Sequence, residues 1–297
     1  MARASLAAML SPLKTAALLA PALAVMAVAG FIPLAIVLFY SVHDTFAGNA
    51  FIYVGFDWYR QVLSAPEFWH SLGLSFAFAL LSLSIQVPLG LYVALKMPQG
   101  GPVATAIIIV IAVPLLTPAI VVGYLWKVMS LEGAGLLPAM AGLFGLSWDM
   151  NSVAVSWATL ALMDAWHWTS LVVLLCHAGL KAIPDDHYRA ARIDGAGRLA
   201  VFRHIQLPRL KAVLMIAILM RFMDAFMIYA EPLVVTRGGP GISTTFLSHE
   251  LVQTATIQFD LGEGGAMSVI YLCIVLAVSW AVFRVIAPSD TAQGRAP

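Results

Sequence analysis

The sequence predicts an all-α membrane protein that crosses the bilayer six times. Of its 297 residues, 61% are hydrophobic and only 10% are charged, whereas a soluble domain carries about a quarter charged residues. The apolar residues are gathered in six runs, each near the roughly 20 residues a helix needs to span a bilayer. The basic residues fall almost entirely in the segments on one side of those runs, as they do in cytoplasmic loops. Mean hydropathy is +0.91. A net charge of +1 gives no electrostatic footprint for nucleic acid.

In chain order, 1–14 reads as a cytoplasmic N-terminus and 15–42 as the first span. Lys14 and the step Ala22-Leu23-Ala24 also fit a signal peptide, but the run exceeds the apolar core of one, about 7–15 residues. His43 to His70 is polar and aromatic and reads as an external loop with interfacial rings. Span two is 71–96, and the turn Met97 to Gly101 leads to span three, 103–128. Pro114 and Pro118 lie inside span three, where proline bends a helix and frees backbone carbonyls. Span four is 152–180, span five 210–235 and span six 265–286. The segments 129–151 and 236–264 are external, and 287–297 is a cytoplasmic tail. Cys176 and Cys273 sit in apolar runs without metal-ligand spacing and read as small fillers.

Orientation follows from charge alone. One side holds Arg3, Lys14, Lys96, Lys181, Arg189, Arg192, Arg198, Arg203, Arg209, Lys211, Arg284 and Arg295. The other holds only Arg60, Lys127 and Arg237. The loop 181–209 and both termini are therefore expected in the cytoplasm.

That loop is the most charged stretch of the chain. Pro184, Asp185 and Asp186 start a helix, with carboxylates facing the positive end of its dipole. Tyr188 to Ile193 continue it, and Asp194-Gly195 ends it where glycine accepts left-handed backbone angles. Ala196 to Gln206 form a second helix with Val201, Phe202 and Ile205 on one face. Leu207-Pro208 is expected to turn the chain back into the membrane.

Arg189-Ala190-Ala191-Arg192-Ile193-Asp194-Gly195-Ala196, followed by Phe202-Arg203-His204-Ile205-Gln206-Leu207-Pro208, resembles the EAA loop of ABC importer permeases. The resemblance extends to Phe56-Asp57-Trp58-Tyr59, to Pro66-Glu67-Phe68-Trp69, and to the loop Thr236-Arg237-Gly238-Gly239-Pro240-Gly241 with Thr244-Thr245. It implies a type I ABC importer permease fold. It also implies a coupling helix that docks in an ATPase groove through Asp185, Tyr188, Arg189, Ala190, Ala191, Asp194, Gly195, Ala196 and Phe202. Position 189 is Arg where the family usually has Glu, so the family's ion pair cannot form there.

Further implications are a second, homologous permease as heterodimeric partner, ABC ATPase subunits that bind ATP-Mg, an external solute-binding protein, and residence in the bacterial inner membrane. The solute class is a sugar or polyol. Phe226 to Pro232 with Gly238 to Ser248 is most similar to glycerol-importer permeases, which favours glycerol.

Ionisable groups at membrane depth are costly and are functional candidates. Arg221, Asp224 and Glu231, with Tyr229 beside them, lie in span five, where 221, 224, 228 and 231 share a face. Asp164, Trp166, His167 and Trp168 lie near the middle of span four, and Tyr124 and Thr117 lie in span three. Rings that pack on C–H faces and carboxylates that accept hydrogen bonds suit a polyhydroxylated solute. The same residues also fit a structural role, with Arg221 and Asp224 as a buried pair and Asp164 with His167 capping a neighbouring helix.

The chain carries no G-x-x-x-x-G-K-[ST], H-E-x-x-H or G-x-S-x-G and is expected to bind neither metal nor cofactor itself. A secondary transporter or channel, and a membrane enzyme using Asp164, His167 and Asp224, are the alternatives. Both leave the 181–209 pattern unexplained.

Overall fold

A computed structural model describes residues 12–46 and 50–286. The expected cytoplasmic tail 287–297, most of the N-terminal segment, and Arg3 and Arg295 lie outside them. The described chain is helical apart from one two-stranded hairpin, and it divides into two compact units.

The first unit comprises the chain up to Ala65 together with Leu251–Cys273. Helix α1 (Pro12–Tyr40) is apolar all round and long enough to cross a membrane. It leads into strands β1 (His43–Phe46) and β2 (Ala50–Tyr53), which pair antiparallel with His43 opposite Tyr53. Helix α2 (Asp57–Ser64) follows. Tyr59 donates its hydroxyl hydrogen to Ser41 Oγ (2.7 Å), and the Trp58 indole donates to the His43 carbonyl (3.3 Å). The segment expected as a plain external loop is thus a folded aromatic cap.

The second unit runs from Pro66 to Glu250 and resumes at Ile274. Its frame is α3 (Pro66–Lys96) packed along α7 (Val153–Lys181), with α10 (Leu207–Phe226) against both. Gly90 permits the α3–α7 approach, since a Cβ there would stand 2.6 Å from Val172 Cβ. Gly90→Val is expected to lower stability by about 1–3 kcal/mol through overpacking, read by thermal unfolding. Phe78, Val122, Trp126, Leu160, Met163, Ile228 and Phe246 form one core. A second core joins Ala94, Met97, Val172, Val173, Cys176, Leu180, Ile183 and Leu210.

The run expected as span three is not one rod. Helices α4 (Gly101–Leu115) and α5 (Ala119–Met129) meet at 88°. Pro118 has no N–H to continue the ladder and disfavours the helical conformation at Thr117 before it. Among the described residues, counting the bent pair as one span gives six spans by length and composition, and five helices qualify by themselves. A short helix α6 (Leu136–Leu143) lies in the expected external segment that follows.

The charged loop carries α8 (Asp185–Ile193) and α9 (Arg198–Val201). Leu207-Pro208 does not turn the chain. From α9 a π-helical turn, Phe202–Gln206, runs directly into α10, with Leu207 N–H donating to the Phe202 carbonyl. The wider turn relieves the clash and missing donor that Pro208 would bring to an α-helix. Span five breaks instead at Met227–Tyr229, before α11 (Ala230–Val235). After it, Thr244 Oγ1 lies 2.8 Å from both the Gly239 carbonyl and Thr236 Oγ1, and the Trp157 indole donates to the Ser243 carbonyl (2.9 Å). These bonds seat Phe246 in the core ahead of α12 (Leu247–Val252). Helix α13 (Leu261–Ile286) completes the described chain.

Candidate functional site

Three helices bring polar groups to one point inside the second unit. Arg221 on α10 is fully buried. Its Nε donates to Gln86 Oε1 on α3 (2.7 Å), and one terminal nitrogen donates to both carboxylate oxygens of Asp164 on α7 (3.1 Å each). The other terminal nitrogen reaches Asp224 Oδ2 at 3.4 Å. Gln86 Nε2 in turn donates to Asp164 Oδ2 (2.5 Å), closing a ring of three side chains from three helices. The Trp168 ring covers the guanidinium, 4.5 Å from Cζ, adding a cation–π contact in a desolvated place. Charge-assisted bonds of this kind are about twice as strong as neutral ones, and each donor nitrogen has its acceptor.

Seven of the nine expected path residues divide between this cluster and its margin. Asp164, His167, Arg221 and Glu231 are buried, and Trp168 and Tyr229 are half-buried. The Asp224 side chain is 44% exposed, which makes it the open edge of the charged ring. His167 Nδ1 lies 3.4 Å from Glu231 Oε1. Tyr229 caps α11, with its ring centroid 6.0 Å from that of His249. Burial lowers the His249 pKa and raises that of its neighbour Glu250.

The other two residues point elsewhere. Trp166 lines an apolar groove with Leu89, Pro114, Leu125 and Trp126, and Tyr124 is exposed on α5. Residues 164, 167 and 168 share a face of α7, and 166 lies on another.

One contributor escaped sequence reasoning. Gln86 is a lone amide in an apolar run, and its cost at membrane depth is the signal that would have singled it out. Thr117, a span-three candidate, contributes through its backbone: its carbonyl, freed by the α4–α5 break, lies 3.1 Å from His167 Nε2. Among the described residues no group of three or more His, Cys, Asp or Glu is placed to hold a metal ion.

The loop expected to couple to an ATPase is folded. Asp185 and Asp186 occupy the first turn of α8, and Asp194 caps its end. Gly195 takes φ +67°. Ala196 N–H then donates to the Ala191 carbonyl (2.9 Å), the hydrogen-bonded stop that a left-handed residue makes at a helix end. Ala191 is buried, Tyr188 packs on the second core, and Phe202 is half-buried. Arg189 and Ala190 are exposed, and Ile193 and Leu199 are 87% and 77% exposed. Arg189 pairs within its own helix, 3.5 Å from Asp186. Ala190, Ala191, Asp194, Ala196 and Ala200 line a shallow cleft between α8 and α9. The loop therefore presents small side chains and exposed apolar ones on a folded frame.

The helical membrane frame thus carries a folded, exposed loop between α7 and α10. The chain belongs to the family described as binding-protein-dependent transport system inner membrane component, matched over residues 86–290. It is a multi-pass membrane permease subunit of an ABC importer, in which ATP hydrolysis resides on a separate subunit.

Among its relatives is a trehalose/maltose transport system permease protein of Thermococcus litoralis, 34% identical over 78% of this chain and 79% of the relative. Another is a sulfoquinovosyl glycerol transport system permease protein of Agrobacterium fabrum, 28% identical over 80% of this chain and 78% of the relative. The fold is shared with a bacterial ABC transporter involved in import of the acidic polysaccharide alginate, with a TM-score of 0.78, 14% identity, and coverage of 91% of this chain and 93% of that one.

Proposed function

We propose that this chain is one of two homologous permeases in an ATP-driven importer that moves a sugar or polyol from an external binding protein into the cytoplasm. The observation that carries the reading is the loop 181–209, a folded, exposed docking element in a membrane chain that has no P-loop of its own. In this reading ATP-Mg binds to ATPase subunits that dock on α8 and α9, and this chain holds no cofactor. The distribution of basic residues supports a cytoplasmic position for that loop and both termini. One bundle of this size does not enclose a path alone, which supports a second permease. Asp224, Tyr229, Trp166, Trp168 and Tyr124 are the candidates for facing solute or partner. Asp164, Arg221, His167 and Glu231 set their positions from behind.

For the solute, the resemblance over 226–248 favours glycerol, and relatives named for trehalose and maltose favour a disaccharide. We rank the disaccharide first, because that likeness runs over 78% of the chain.

The test is uptake into proteoliposomes holding the chain with its co-purifying partners, comparing labelled trehalose, maltose, glycerol and glycerol 3-phosphate. Uptake that requires both ATP and the binding protein is expected, with a disaccharide preferred. Uptake by the isolated chain without ATP would overturn the reading.

A further inference from the structure

The charged ring leaves one buried titratable pair unused. His167 lies about one turn beyond Asp164 on α7 and is 2% exposed. Its Nε2 meets the Thr117 carbonyl at 3.1 Å. The break frees that carbonyl, because the N–H groups of Val121 and Val122 both donate to the Pro118 carbonyl. A carbonyl only accepts, so Nε2 carries the ring hydrogen. The other ring nitrogen, Nδ1, then faces Glu231 Oε1 at 3.4 Å, and Glu231 is 6% exposed. In a neutral ring Nδ1 offers a lone pair, and an ionised carboxylate offers only lone pairs. Two acceptors face to face without water are costly. A proton between them removes the conflict whether it resides on ring or carboxyl, and in both forms the pair is neutral overall.

We propose that a hydrogen held between His167 Nδ1 and Glu231 fastens α11 to the continuous helix α7, beside the Nε2–H bond that fastens the start of α5. The placement of Glu231 supports this. It stands in the first turn of α11, just past the break at Met227–Tyr229. Helix α11 is pressed against α5, since a Cβ on Gly123 would lie 3.0 Å from Val234 Cβ and 3.3 Å from Glu231 Cα. The pieces beyond the two breaks thus pack on each other, and His167 holds the start of each: α5 through the Thr117 carbonyl, α11 through Glu231. His167 is a positioning residue for that paired piece.

The test reads thermal unfolding of the full chain, purified with its partners into nanodiscs. Transport is not needed for it, so the result stands apart from the choice of solute. Glu231→Gln keeps an N–H for Nδ1, and Glu231→Ala leaves Nδ1 unpaired. Glu231→Ala is expected to lower the midpoint by about 3 °C or more, and Glu231→Gln to restore most of that loss. A Glu231→Ala midpoint equal to wild type would overturn the proposal, as would a Glu231→Gln midpoint as low as that of Glu231→Ala. Should Glu231→Ala fail to assemble, a Glu231→Gln midpoint close to wild type supports the proposal and one lower by about 3 °C or more overturns it.

Discussion

Arg221→Met is expected to destabilise the chain by about 3–5 kcal/mol, the usual cost of stripping one partner from a buried ion pair. The guanidinium is fully buried and serves Gln86, Asp164 and Asp224 at once. Removing it leaves the Asp164 carboxylate at membrane depth with Gln86 as its remaining neutral donor. The measurement is thermal unfolding of the assembled complex together with the yield of folded chain. Asp164→Asn combined with Arg221→Met is expected to recover much of the loss, since no charge is then left inside the ring. Melting of Arg221→Met equal to wild type would show that the ring does not hold the three helices together. Asp224→Asn should change stability by less than about 1 kcal/mol, because its half-open side chain keeps solvent screening.

Gly195→Asp is expected to lower solute-stimulated ATPase activity of the assembled importer about tenfold while leaving the chain folded. Gly195 has a left-handed backbone, and among the described residues no atom beyond its two chain neighbours lies within 4 Å of where its Cβ would be. A side chain there meets no neighbour of its own, and aspartate tolerates this conformation better than most residues. The intramolecular cost is therefore about 1 kcal/mol, and the new group projects into the space where an ATPase would dock. Unchanged stimulation would remove α8 from the docking surface. Strong loss of chain stability would instead show that the loop turn itself had failed.

Much of this was legible in the residues. The apolar runs located the long helices, because a bilayer tolerates only segments that satisfy their own backbone. Pro184, Asp185, Asp186 and Gly195 marked the ends of α8, because caps act locally. Asp164, His167, Arg221, Asp224 and Glu231 stood out as charges where charge is costly.

The sequence by itself determined the class of protein, the helical frame, the folded charged loop and which residues could not be ordinary lipid-facing ones. Only the tertiary structure decided which of them meet. It closed the ring through Gln86, 78 residues before Asp164, and it turned Trp166 and Tyr124 away from that ring. It broke the third run by 88° at Thr117, and it carried α9 straight through Leu207-Pro208 into α10. The reason is physical. Caps and spans are set by neighbours a few residues away, whereas the partner of a buried polar group is set by which distant helix faces pack together. Whether a proline turns, breaks or merely widens a helix depends on what else can take up the carbonyls it frees.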